Sequence, residues 1–347
     1  MENKSQLTPG DSDGLDRRNF IKRSLAGAAG AAFALSIEEQ VLLAQEKAPE
    51  KKTVQPPSSD ASKMPLGKIG KVELSRLICG GNLINGYAHS RDLTYVSTLL
   101  LKYFTDEKIF ETFQICEECG INTVILNNTA RDMKAIKLIN RYWNERGGKI
   151  QWMAQATPTS DDIKTNLNIA IDNGAVGVLI QGGVGDRWVQ AGRVDLLAKA
   201  VEHIKSRGAI AGIAGHSTEV PKACVKAAID VDFYMKTLHH GNYWSATPPE
   251  DQIEFNVDSK GAADHDNIWS IHPEQTIEFM KDVQKPWLAY KVMAAGAITP
   301  EDGFKYAFEN GADFIVAGMF DFQIREDAMI ARALLKRQLD RVRPWYG

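Results

Sequence analysis

IQWMAQATPTSDDIKTNLNIAIDNGAVGVLI, residues 150–180, contains the unit whose repetition decides the fold. It opens on a short apolar run, Ile150–Ala156, passes through Ser160-Asp161-Asp162, and closes on a second apolar run, Val176–Ile180. Serine and aspartates at that place open a helix, because they satisfy its first N–H groups and match its dipole. Strands apolar on both faces need cover on both sides, so strand, helix and strand here read as part of a parallel sheet.

The unit recurs in both directions along the chain. Upstream lie Leu74–Cys79, with a helix begun at Thr105-Asp106-Glu107, and Asn122–Leu126, with a helix ending near Arg146-Gly147-Gly148. Downstream lie Ala209–Ala214, Val231–Leu238, Trp287–Met293 and Phe314–Ala317. Val194, Leu197, Ala198 and Val201 keep helical spacing before the first of these, and a last helix is expected over 325–342. Residues 83–104 form a long insertion after the first strand. The sixth strand leads into about thirty polar residues containing Pro248-Pro249 and Asp264-His265-Asp266, long enough to be functional. Eight such pairs over about 275 residues predict a closed (β/α)8 TIM barrel. An open doubly wound sheet would need a glycine-rich nucleotide turn after its first strand, and Gly80-Gly81-Asn82 is a poor one.

The chain has 347 residues, 44% of them hydrophobic, with 41 basic and 44 acidic residues and a net charge of -3. No block of like charge would hold a polyanion, so nucleic acid is not an expected partner. No apolar run reaches the roughly 18–20 residues of a bilayer span, so no stable membrane span is expected. The N-terminus carries a different message. Asp16-Arg17-Arg18-Asn19-Phe20-Ile21-Lys22 sets a twin arginine ahead of the weakly apolar stretch Leu25–Leu35, the pattern of a twin-arginine export signal. Cleavage is expected after Ala32-Phe33-Ala34 or Leu42-Leu43-Ala44. The expected organisation is a signal peptide over 1–44, a disordered linker over 45–63 and a barrel over 64–347, with the twin-arginine translocase as transient partner and a periplasmic or otherwise extracytoplasmic location. Cys79, Cys116, Cys119 and Cys224 lack a zinc spacing and are expected as buried thiols, kept reduced by folding before export.

Met64-Pro65-Leu66-Gly67-Lys68-Ile69-Gly70-Lys71-Val72, with Leu74-Ser75-Arg76-Leu77 and Gly80-Gly81-Asn82, resembles the opening hairpin and first strand of the aldo/keto reductases. Gly120-Ile121-Asn122 resembles that family's approach to strand two. The resemblance implies a reductase barrel holding NADP(H). It also implies aspartate and tyrosine after strand two, lysine ending strand three and histidine ending strand four. This chain instead reads Asn127-Asn128-Thr129-Ala130, Gln155 and Gln181 at those places. Glutamine cannot depress a phenol's pKa, and no phenol is expected beside a substrate carbonyl, so the family's hydride transfer is not expected.

Groups at the carboxyl ends of barrel strands converge on one cavity. Asn82, Asn127, Gln155, Gln181 and Asp321 are the candidates for binding substrate, and their amides suit a polyol or sugar-like small molecule. His216, Lys291, Lys236 and His239 are the candidates for catalysis. His216 follows Ala214-Gly215; a histidine merely bonded to a loop backbone is the plainer reading. Lys291 and Lys236 serve as general base or Schiff-base lysine if buried, or as structural ions if paired, for instance Lys291 with Asp321. His216, His239 and His240 could ligate a metal, though no close spacing supports it and no metal site is assigned. Gly296 and Gly318, after strands seven and eight, resemble paired phosphate-holding turns, or are simple turns. Tyr87, Tyr243, Trp244 and Trp269 either stack on a ligand or cap the rim. Three functions remain open: a reductase-derived enzyme on a small carbonyl or sugar-like compound, a cofactor-free lyase, isomerase or aldolase using a barrel lysine, and a non-catalytic binding barrel.

Overall fold

The computed structural model describes residues 63–252, apart from 88, 90–92, 94 and 129–132, and residues 270–347. The twin arginine, both cleavage sites, linker residues 45–62, the Asp264-His265-Asp266 segment and Trp269 lie outside the described residues.

A two-stranded hairpin comes first, β1 (Leu66–Ile69) antiparallel to β2 (Val72–Ser75), with Ile69 opposite Val72. Eight parallel strands then close into a barrel in sequence order. They are β3 (Leu77–Gly80), β4 (Thr123–Asn128), β5 (Gln151–Ala156), β6 (Gly177–Ile180), β7 (Ile210–Gly215), β8 (Phe233–Thr237), β9 (Trp287–Tyr290) and β10 (Phe314–Ala317). The ring shuts where Ile315 of β10 pairs with Leu77 of β3. The run 74–79 therefore serves two sheets rather than one strand. The chain turns at Arg76, whose N–H bonds Pro65 O while the Ser75 hydroxyl bonds Leu77 O.

Strand alternation sorts the side chains into two cores. Ile78, Ile125, Met153, Leu179, Ile210, Phe233, Met235, Leu288, Phe314 and Val316 fill the barrel, and Ile69, Val72 and Leu74 of the hairpin join them as the plug of its amino-terminal end. Each such buried side chain contributes roughly 1.5–3 kcal/mol. Val124, Trp152, Val178, Tyr234, Trp287 and Ile315 face outward onto the helices. Burial on both faces is why the strands read as unbroken apolar runs.

The helices are α1 (Val96–Tyr103), α2 (Asp106–Glu118), α3 (Lys134–Arg146), α4 (Lys164–Asp172), α5 (Gly182–Gln190), α6 (Val194–Ser206), α7 (Glu219–Lys226), α8 (Pro273–Lys281), α9 (Pro300–Glu309) and α10 (Ile324–Leu335). Thr105 caps α2 as its acidic first turn implied, accepting from Lys108 N. Four elements differ from the sequence expectation. The long insertion holds α1, and α5 is an added glycine-rich helix between β6 and the expected α6. Strand seven stops at Tyr290 rather than Met293, because Lys291 adopts φ +60°, which ends an extended strand. The last helix stops at Leu335, and the chain returns beneath the barrel, where Arg343 and Arg341 reach the fully buried Asp313 at 3.0 and 3.4 Å. No helix among the described residues is long and apolar enough to cross a membrane. All four cysteines are buried free thiols.

Candidate active site

Two residues beyond the inward-facing Ile125, Met153, Leu179, Ala214, Met235 and Leu288, the alternation places Asn127, Gln155, Gln181, His216, Thr237 and Tyr290. These form the top layer of the barrel, at the carboxyl ends of its strands. Asn127 and Gln155 are register partners on β4 and β5. Gln181 caps α5, its side-chain oxygen accepting from Val184 N at 3.1 Å. The sequence reading placed all but Thr237 and Tyr290 in this group.

His216 is the centre of the layer. Its Nδ1 lies 2.7 Å from Asp186 Oδ2, and the same carboxylate accepts the backbone N–H groups of His216 and Ser217 at 3.0 Å each. A carboxylate only accepts, so Nδ1 carries the proton and Nε2 is the lone-pair nitrogen of the neutral ring. Asp186 is fully buried and the His216 side chain is 13% exposed. Burial, and then the positive charge of Lys291, depress the His216 pKa to about 4 against the raising effect of Asp186; Lys236 adds to the depression. The ring is thus neutral at neutral pH, oriented by a buried anion.

Asp186 went unseen in the sequence because α5 did. The signal was Gly182-Gly183-Val184-Gly185-Asp186: a Cβ on Gly185 would strike the Ala214 carbonyl oxygen, so only glycine lets α5 lie on the end of β7 and deliver Asp186 to His216. Tyr290 also corrects the expectation that no phenol stands here. Its ring meets that of His216 edge-on at 5.6 Å, and burial, then Asp186, push its pKa well above the ordinary value, keeping it protonated. Its hydroxyl is buried and has no hydrogen-bond partner among the described residues.

The other candidates spread outward. Lys291 is half-buried just past β9, and its charge reaches His216. Lys236 leaves β8 between the inward Met235 and Thr237, and its Nζ bonds the Thr237 hydroxyl at 2.7 Å and carbonyl at 3.2 Å. Thr237 in turn donates to His216 O at 3.2 Å. Asp321 lies with α1 and α2, bound by Tyr103 Oη at 2.5 Å and Lys108 Nζ at 3.0 Å, the ion pair that sequence reading offered to Lys291. Although burial opposes it, those two bonds hold the Asp321 carboxyl below its usual range. Asn82 Nδ2 lies 3.4 Å from His89 Nε2. His239 is buried, with Nδ1 donating to His240 O at 2.8 Å, and His240 Nε2 reaches Asp302 at 3.1 Å. The three histidines therefore have separate partners, and no group of three or more metal-ligating side chains converges among the described residues.

The turn after β9 does not fit the phosphates of a nicotinamide nucleotide. The N–H groups of Ala294, Gly296, Ala297 and Ile298 are all bonded to carbonyls within the turn, and Glu301 and Asp302 stand in the first turn of α9 behind it. Gly296 serves there as a left-handed residue, φ +89°. Gly318, just past the end of β10, lies near Leu83.

No family model matches the chain and no curated protein matches it. Solved structures do. The chain aligns with a protein named as an aldo-keto reductase from Pseudomonas aeruginosa at 13% identity and TM-score 0.51, over 80% of this chain and 99% of that one. It aligns with the holo form of an aldo-keto reductase from Bacillus halodurans at 11% identity and TM-score 0.52, over 79% and 95% of the two chains. At this level of identity the likenesses show the fold alone: with its closed ring of eight parallel strands, the chain has the aldo-keto reductase type of (β/α)8 barrel.

Proposed function

We propose that the protein is an exported enzyme that acts on a small carbonyl or sugar-like substrate by proton transfer at His216 rather than by hydride transfer. The observation that carries this is the Asp186–His216 pair. A buried carboxylate fixes the ring's tautomer, leaving Nε2 as a neutral base in the top layer, where barrel ligands collect. Asn127, Gln155 and Gln181 bind hydroxyls and carbonyls but cannot take up protons, so the layer supplies one base among neutral partners. The twin arginine at 17 and 18 supports export of the folded barrel.

The reading is tested by incubating the full chain in D2O with a panel of aldoses, ketoses and 2-hydroxyketones, following loss of C–H signals next to the carbonyl by NMR. Exchange without added nucleotide, reduced about 100-fold or more in His216→Asn, is expected. Consumption of NADPH with no exchange would overturn it. For export, cell fractionation should find the wild type outside the cytoplasm and the double variant Arg17→Lys, Arg18→Lys inside; equal distribution of the two removes the export reading.

A further inference from the structure

Beside His216, the first turn of α5 has an arrangement that proton abstraction alone does not need. Gly182 and Gly183 are buried, and their backbone N–H groups, at the amino end of a nine-residue helix, have no partner among the described residues. Unpaired N–H groups at such a point carry the positive end of the helix dipole. An independent feature faces the same spot. An ideal Cβ on Gly182 would lie 3.0 Å from Tyr290 Oη and 3.0 Å from His216 Cε1, so the phenol's buried, partnerless hydroxyl and the imidazole both lie close against this glycine. The Lys291 and Lys236 charges act on the same ring. Two unpaired N–H groups, a partnerless phenol hydroxyl and a positive field thus lie side by side next to a neutral base.

We propose that the Gly182 and Gly183 N–H groups and the Tyr290 hydroxyl form an oxyanion hole for a substrate carbonyl oxygen, so that the substrates are carbonyl compounds with a removable α-proton, α-hydroxy aldehydes and ketones above all. This rests on the proton-transfer reading. His216 Nε2 takes the proton from the α-carbon. The C–H electron pair becomes the C=C π bond of an enediolate, and the carbonyl π pair moves onto oxygen, where the three donors receive it. The imidazolium so formed keeps its Nδ1–H on Asp186. Returning the proton to the former carbonyl carbon, with the hydroxyl proton passing between the oxygens, gives the isomeric hydroxycarbonyl compound. No oxidant, reductant or other co-reactant is required.

The test pairs a binding probe with turnover. Glycolohydroxamate is planar and places an acidic oxygen where an enediolate would; glycolamide has the same shape without the acidic group. Calorimetry on the wild-type full chain should show the hydroxamate binding more tightly than the amide, with that preference lost about tenfold or more in Tyr290→Phe and in Gly182→Ala. Tyr290→Phe removes an unpartnered atom and is expected to keep the fold, so the result does not hang on the glycine variant alone. In the D2O exchange assay, Tyr290→Phe should lower kcat about 100-fold with KM nearly unchanged, as expected of a bond made in the transition state. No preference for the hydroxamate in wild type overturns the hole. Exchange abolished by His216→Asn yet indifferent to Tyr290→Phe overturns the hole and leaves the proton-transfer reading standing. Tyr290-dependent hydroxamate binding with no exchange on any substrate supports the hole and removes that reading instead.

Discussion

Replacing Asp186 with asparagine tests whether a carboxylate on α5 sets the chemistry of a histidine on β7. The wild-type carboxylate accepts the ring N–H at 2.7 Å and two adjacent backbone N–H groups at 3.0 Å. An amide of the same shape has one accepting oxygen. If that oxygen keeps the backbone pair, its NH2 faces Nδ1, which must then accept; the ring proton moves to Nε2 and the base is lost. Hydrogen bonds to charged groups are worth about 1.5–3 kcal/mol each, so one such bond lost and two weakened predict a stability cost of about 2–4 kcal/mol, measurable by urea unfolding. The rate of α-proton exchange should fall about 10²–10⁴-fold. The tautomer itself is read without any substrate, from two-bond and three-bond 15N–1H correlations of the His216 ring. The wild type should show Nδ1–H and Asp186→Asn should show Nε2–H. A variant that keeps Nδ1–H, with unchanged exchange, refutes the assignment of Asp186 as the residue that positions the base.

Other expectations follow from burial. Tyr290→Phe should raise stability by about 1 kcal/mol, because it removes a buried hydroxyl with no partner; a loss of similar size in urea unfolding would mean that the hydroxyl is bonded in the native state. Burial, then Glu326 and Glu301, raise the Asp327 pKa from 3.8 to about 7, above its unfolded value, so the stability tied to its neutral form is full below pH 4 and is lost as pH rises to 7. Asp327→Asn should therefore be more stable than wild type by about 1–3 kcal/mol at pH 8 and no better at pH 4, and equal denaturation midpoints at pH 8 would contradict this. His216 works in the opposite direction. Its folded pKa of about 4 lies below the ordinary 6.5, so stability is lost as pH falls from 6.5 to 4, and His216→Gln should flatten that limb of a Tm-against-pH curve. Asp313→Asn leaves Arg343 and Arg341 buried with a weakened partner and should cost about 3–5 kcal/mol in urea unfolding.

The barrel was legible because its strands are buried on both faces, and that leaves a run of apolar residues no other placement explains. Helix starts with a cap and acidic first turn, such as Thr105-Asp106-Glu107, were legible for the same local reason. What escaped were features that depend on approach between distant backbones. The glycines of α5 lower helix propensity, and their purpose shows only against the Ala214 carbonyl. Asp186 and His216 lie thirty residues apart, so no spacing rule joins them. Tyr290 sits in an apolar run and looks like core; only the position of Leu288 within the barrel tells which way it faces. The ends of β9 and of the last helix were misplaced because Lys291 takes a left-handed turn and because Arg341 and Arg343 are drawn to Asp313, neither of which is written in local periodicity.

The floor of the barrel is sealed from both ends of the domain. Arg76, at the foot of β3, donates to Asp313 O across 237 residues of chain and to Gly347 O across 271, and its guanidinium lies over Trp345 at 4.4 Å. Contacts this far apart in sequence are late and slow to form, because the loop they close is long. A ribosome that has released all eight strands still holds back the residues that lock the first strand to the last. The contacts that tie the first strand to the last therefore cannot form until residues 345–347 have been synthesised, well after the eighth strand.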